Sequence, residues 1–254
     1  MKVALCMSGQ PRFLEHCYPS IKNNVIDTNN PDIFMHTWSY EDSSEPYKYG
    51  GDGGWKDQRI TAKDHDRAIE LYNPLKQQIQ PSQKFYMPSV SLRRGLDFYS
   101  PGTEKEAEEA GMTREDYEKF LLSNCLSMWS SIHKSFFLMH EHVLETGVEY
   151  DAVIRCRFDV NVNTPLDMSQ FDQNYMYAVD MGKQYGHIAD WINFSSYANM
   201  MVYSSTYLHY RKIYDDIEAS GSNPMCNEMA LAINLARNGV KCVNLPFSAS
   251  LPRL

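Results

Sequence analysis

No two of the six cysteines stand close enough in sequence to form a paired motif. Cys6, Cys17, Cys125, Cys156, Cys226 and Cys242 are scattered, several of them inside apolar runs. They read as small, reduced core residues in a reducing compartment, not as a disulfide framework. The chain also has no C-x-x-C and no H-x-x-x-H, which argues against a zinc site of ordinary spacing. Apolar runs long enough to span a bilayer are missing. A secretory signal is not expected either, because Lys2 precedes only the short run from Val3 to Met7, and Gln10-Pro11-Arg12 stops it. Basic residues are the minority, 24 Lys and Arg against 32 Asp and Glu, for a net charge of −8. That balance disfavours a broad nucleic-acid footprint and leaves room for one basic pocket. Internal repeats and low-complexity segments are absent.

What is present suits one large α/β domain: 254 residues, 43% hydrophobic and 22% charged. A buried strand at 3–8, a helix from Pro11 to about residue 25 and a strand at 32–38 suit a parallel βαβ unit. Residues 40–58, rich in Gly, Ser, Asp and Tyr, read as a long surface loop. Thr61 and Asp64 form a capping-box pattern for a helix reaching residue 71. A weaker strand is expected at 83–87, a loop at 88–103 and a short helix at 104–110. Thr113 and Asp116 open the strongest helical pattern. Within it Leu122, Cys125, Trp129, Ile132, Phe136 and Met139 recur at helical spacing until Gly147 ends the run. Strands are expected again at 175–179 and 240–245, with a glycine-bearing loop at 181–186. Short ordered pieces of unassigned type fall at 190–195 and 199–203. Helices are expected at 205–219 and, opened by Asn223-Pro224 and closed by Gly239, up to residue 238. The fold class expected is a single α/β domain with a mostly parallel, twisted sheet covered by helices on both faces, and with the strands at Val3, Ile33 and Val153 in its middle.

The stretch from Tyr150 to Asn163 organises the chain. It begins as a short apolar strand and then turns polar within a few residues, through Arg155, Arg157, Asp159, Asn161 and Asn163. Burying a charge costs several kcal/mol unless it is paired, so such residues mark the place where a strand leaves the core. In an open α/β sheet that edge also binds ligands. Two readings stand side by side: Asp159 with Asn161 holds a divalent cation beside a diphosphate, or the arginines and Asp159 form a structural ion network. Period two would set Asp159 and Asn161 on one side of an extended segment.

Ser8-Gly9-Gln10-Pro11-Arg12-Phe13 lies between a strand and a helix start, where backbone N–H groups and Arg12 suit a nucleotide base or phosphate. It is neither a Walker loop nor a dinucleotide fingerprint, since both glycine patterns are missing. Trp129 fits the apolar stripe of the long helix. Ser131 and Lys134, three residues apart, share a face that suits a sugar or phosphate as well as it suits solvent. Asp190, beside Trp191, and Glu228, in the first turn of the last helix, are the carboxylates for acceptor chemistry. His187 and Arg253 are further pocket candidates.

The chain resembles the small glycosyltransferases of the GT-A type found in large viruses, phages and bacteria, which build surface glycans. The segments that carry the resemblance are Val3 to Arg12, Pro31 to Trp38, Tyr150 to Asp159 and the Asn227-Glu228 helix with the strand after it. It implies a nucleotide-sugar donor, a glycan acceptor and usually Mn²⁺ or Mg²⁺. It would set Ser8, Gly9, Gln10 and Arg12 at the nucleotide and Asp159 at the metal; Lys134, Arg155 and Arg157 are further donor-binding candidates, and Asn161 a second candidate ligand for the metal. Residues 1–165 would bind the donor and 166–254 the acceptor, in the cytoplasm, or the host cytoplasm for a viral protein. The acid pair usual in such enzymes is incomplete, because Arg157 stands at its first position. Either Asp159 works with Asn161 or water, or Arg157 partly takes the place of the cation. A sulfotransferase would need a lysine in the first loop, which residues 8–13 lack. A glycan-binding protein on the same fold without catalysis is the other alternative.

Overall fold

The computed structural model describes residues 1–39, 60–83, 85, 107–108, 111–178, 188–219, 227–245 and 249–252. The expected loop at 40–58 and most of the segments expected at 88–110 lie outside the described residues, as do residues 181–186, His187, Asn223, Pro224 and Arg253.

The strands are β1 (Val3–Ser8), β2 (Asp32–Ser39), β3 (Lys76–Pro81), β4 (Ala152–Cys156), β5 (Asn161–Val162), β6 (Met176–Ala178), β7 (Ile192–Ser195), β8 (Cys242–Asn244) and β9 (Ala249–Ser250). Seven of them form one sheet in the order β3-β2-β1-β4-β7-β6-β8, and β5 pairs with β9 apart from it. Pairing is parallel across β3-β2-β1-β4 and between β6 and β8. β7 runs antiparallel to both of its neighbours, so the sheet is mixed, though mostly parallel. One sheet therefore joins strands from both halves of the sequence.

Among the described residues, six helices of eight or more residues cover it: α1 (Leu14–Ile21), α2 (Ala62–Tyr72), α3 (Arg114–Thr146), α4 (Tyr197–Ser204), α5 (Thr206–Ala219) and α6 (Asn227–Arg237). Strand alternation sends successive side chains to opposite faces. Val3, Leu5, Met7 and Ile154 pack with Leu14, Cys17 and Tyr72 from α1 and α2. Ala4, Cys6, Phe34 and Val153 pack instead with Trp129 and Ile132 of α3, and with residues of α4, α5 and α6. Both faces are thus covered, which is why β1 and β4 read as continuous apolar runs. The five described cysteines form no disulfide, and Cys6, Cys17, Cys125 and Cys156 are buried.

Several boundaries follow from local chemistry. The Asp64 carboxylate accepts from the Thr61 backbone N–H at 2.7 Å, as its half of a capping box, and also from the Thr61 hydroxyl at 2.8 Å. The Thr113 hydroxyl accepts from the Asp116 N–H, and Gly147, at φ 72°, ends α3 after 33 residues, about 50 Å of helix. Helix α1 starts at Leu14 and not at Pro11, and it continues past residue 25 through a π-helical segment, Lys22–Ile26, to Asn29. Pro19 sits inside it and removes one backbone donor; such a lesion is commonly accommodated by a local widening. Of the strand expected at 83–87, residues 84, 86 and 87 lie outside the described residues, and β3 was not expected. Its polar sequence KQQIQP suits an edge that pairs on one side only, with Pro81 last. The piece at 190–195 is β7 and the piece at 199–203 belongs to α4. Among the described residues, no helix is long and apolar enough to cross a membrane.

Ile154 is fully buried in the central strand, whereas Leu144 on α3 is 72% exposed. In urea denaturation Ile154→Ala should cost about 2–5 kcal/mol, and Leu144→Ala should stay within about 0.5 kcal/mol of the parent.

Candidate functional site

The strand order reverses between β1 and β4. From β1 the chain steps outward to β2 and β3, then returns along α3 to place β4 on the other side of β1. In open α/β sheets, ligands bind beyond the carboxyl ends of the strands at such a switch point. Ser8 ends β1 there. Arg155 and Arg157 flank the end of β4, and His36 lies opposite Ser8 on β2.

Arg155 faces α3, opposite Cys6 on β1 and Asn193 on β7. Its Nε donates to Ser8 Oγ at 2.9 Å, and its guanidinium lies beside the Tyr203 hydroxyl. Arg155 is only 1% exposed, makes no ion pair among the described residues, and leaves Nη1 with no hydrogen-bond partner. Tyr203 in turn donates to Asn193 Oδ1 at 2.8 Å. Burial pushes the Tyr203 phenol up, Arg155 opposes that shift, and Asp190 and Glu228 add to it, so both carboxylates lie near this cluster. The backbone ties them together as well, for the Ile188 N–H donates to the Glu228 carbonyl at 3.2 Å.

A second cluster follows the end of β4. Arg157 Nε and Nη2 donate to the two oxygens of Asp159 at 2.7 and 2.9 Å, and Nη1 reaches Asp190 Oδ2 at 3.3 Å. The Arg157 N–H donates to the Trp191 carbonyl at 3.0 Å. Because β7 is antiparallel, Asp190, which precedes it, falls at the carboxyl end of β4. Burial works against the Asp159 charge. The charge and paired hydrogen bonds of Arg157, with the charge of Arg12, outweigh it and hold the carboxyl below its ordinary value.

The third cluster links the first loop to α3. Gly9, at φ 112°, donates its N–H to Ser131 Oγ at 3.0 Å. A Cβ at Gly9 would meet nothing, so the conformation and not the space calls for glycine. Ser131 Oγ lies 2.8 Å from His36 Nδ1, and His36 Nε2 faces Gln80 Oε1 at 3.4 Å. Lys134 Nζ also donates to Gln80 Oε1 and sits 4.5 Å from the centre of the Trp38 ring. Burial pushes His36 down to about 3, so the ring is neutral at pH 7 and shares one hydrogen bond with the Ser131 hydroxyl.

The structure therefore gathers most of the expected site residues. Ser8 meets Arg155, Gly9 meets Ser131, and Arg12 acts on Asp159, which Arg157 joins to Asp190. The Gln10 carbonyl accepts from the Arg12 N–H at 2.8 Å in the same turn. Ser131 is buried, not on a solvated helix face, and Trp129 packs in the core. Asn161 stands apart. Residues 158 and 159 form a turn, so the period-two argument fails, and the Asn161 amide meets His16 Nε2 at 3.3 Å instead. Sequence reasoning missed His36, Gln80, Asn193 and Tyr203. A polar residue inside an apolar strand, as at His36 and Asn193, was the available signal.

The cation implied by the resemblance does not fit the residues present. Both oxygens of Asp159 are taken by Arg157, and Asn161 faces elsewhere. Among the described residues, no three His, Cys, Asp or Glu side chains converge on one point. Comparison of the chain with protein-family models and with curated proteins finds no match.

Two outcomes test these clusters. Asp159→Asn leaves Arg157 without its buried partner and should cost about 3–5 kcal/mol at pH 7. The folded carboxyl titrates below the unfolded one, so this contribution is full above the ordinary Asp value and lost as pH falls through the folded value. The melting-temperature gap between wild type and variant should therefore narrow toward pH 3. His36, with its folded value near 3 against an ordinary 6.5, contributes fully above pH 6.5 and loses that contribution as pH falls toward 3. Stability curves of His36→Asn should be flatter than wild type across that window.

Proposed function

We propose that the protein is a glycosyltransferase that moves a sugar from a nucleotide-diphosphate donor to a glycan acceptor. The observation that carries this reading is Arg155: a buried guanidinium at the switch point that, among the described residues, makes no ion pair and leaves one nitrogen without a hydrogen-bond partner. An unpaired buried charge is costly, and an arriving anion relieves it. Gly9, Gln10 and Arg157 at the rim are partly exposed, so a ligand can approach from there.

In this reading the nucleoside lies along the loop from Ser8 to Arg12 and its diphosphate reaches Arg155. The acceptor hydroxyl attacks the anomeric carbon. A new C–O bond forms as the bond to the phosphate oxygen breaks, and that electron pair leaves on the diphosphate. The hydroxyl proton passes to a carboxylate. Glu228 suits this task better than Asp190, because Asp190 is held by Arg157 and is almost fully buried. Glu228 is partly exposed at the start of α6 and close to the same cluster.

Hydrolysis and transfer assays across a panel of nucleotide sugars test the proposal. One nucleoside-diphosphate sugar should be consumed, and Glu228→Gln should lower kcat by roughly 10²–10⁴ with donor affinity preserved. If no donor is consumed and no nucleoside diphosphate raises the melting temperature, the reading fails.

A further inference from the structure

Resting on the glycosyltransferase reading, we infer that Arg155 and Lys134 meet the charge of the donor diphosphate in place of a divalent cation. The acid that would hold a cation is already spent, since Arg157 closes on both oxygens of Asp159 with paired donors at 2.7 and 2.9 Å. To bind a metal there, Asp159 would have to leave a buried bidentate pair, which costs several kcal/mol. Arg157 is spent in the same way, on Asp159 and Asp190.

Two other cations at this edge of the sheet are not. Among the described residues, Arg155 has only neutral neighbours within hydrogen-bond reach, Ser8 and Tyr203, and Nη1 has no partner. Lys134 donates to the neutral Gln80 amide and sits over Trp38, with no ion pair among the described residues. Neutral His36 and Ser131 lie between them and join both to the Gly9 loop without adding charge. Two unspent positive charges on rigid elements, β4 and α3, stand where a leaving diphosphate gains negative charge. Fixed cations at such a place stabilise the transition state as a metal would. Asp159 is then a positioning residue that orients Arg157 and, through it, Asp190.

Titration with UDP, GDP and inorganic pyrophosphate, followed by calorimetry and melting temperature, decides the matter in two buffers, one with EDTA and one with excess Mn²⁺. The expected result is a nucleoside-diphosphate Kd that agrees within about twofold between the buffers, and that rises about tenfold or more in Lys134→Met. Lys134 is partly exposed, so its loss leaves the fold intact. Arg155→Lys keeps the buried charge but loses the fork, and should weaken binding in both buffers alike. Asp159→Asn should leave binding as insensitive to Mn²⁺ as wild type. Binding that tightens tenfold or more with Mn²⁺, and loses that gain in Asp159→Asn, would overturn the inference and leave the glycosyltransferase reading standing. Binding in both buffers that Lys134→Met and Arg155→Lys do not change would also overturn it. Absence of diphosphate binding in either buffer would remove both.

Discussion

A guanidinium buried at the seam between β1 and β4, with no ion pair among the described residues, is the constraint on which the rest of the site depends. The strands on either side are apolar, and Cys6, opposite Arg155, is itself buried. Left there alone, the charge would cost more than a typical core contact returns. Ser8, Asn193 and Tyr203 form its polar setting: Ser8 accepts from it, and Tyr203 lies beside it and is held by Asn193. None of these carries a charge at neutral pH, so they satisfy hydrogen bonds without cancelling the field. The acids nearest the cluster are tied elsewhere, Asp190 to Arg157, or stand at the first turn of α6, as Glu228 does.

The reversed direction of β7 has a chemical consequence. Had β7 run parallel to β4, the residue before it would lie at the amino ends of the neighbouring strands, far from the switch point. Running antiparallel, it pairs Ile192 with Cys156 and delivers Asp190 to Arg157. The mixed sheet thus brings a carboxylate from the second half of the chain to a set of residues from the first. The Arg157–Asp159 pair sits where the chain turns away from the sheet. It holds that exit in one geometry through a main-chain bond to Trp191 and a side-chain bond to Asp190.

Much of this was legible in the sequence, and the reasons differ by element. β1, β2 and β4 announce themselves because both faces of the sheet are covered, which forces continuous apolar runs. The long helix was legible from its stripe and caps. The edge strand β3 was not, because a strand paired on one side and half exposed needs no apolar pattern, and only Ile79 interrupts its polar residues. The direction of β7 was hidden for a different reason: four buried residues carry no mark of orientation. At the site, Ser8, Gly9 and the arginines were legible as polar residues at a strand end. Their partners Gln80, Asn193 and Tyr203 come from distant segments, and no local spacing points to them. The pairing of Asp159 with Asn161 failed because it assumed that the strand geometry of β4 continued, whereas the chain turns at residues 158 and 159.

The neutral histidine clarifies how charge is distributed along this edge. A protonated His36 would put a third positive charge between Lys134 and Ser8, and burial suppresses that proton down to about pH 3. His36 therefore transmits geometry and not charge: it is hydrogen-bonded to Ser131, which accepts from Gly9, while its other nitrogen faces the amide that Lys134 also uses. A shift of α3 along its axis would move Ser131 and Lys134 together, and with them the backbone of the Gly9 loop. The loop next to Arg155 is in this way held in register with the cation on α3. This uncharged chain of contacts ties the backbone beside Ser8, the hydrogen-bond partner of Arg155, to the helix that carries Lys134.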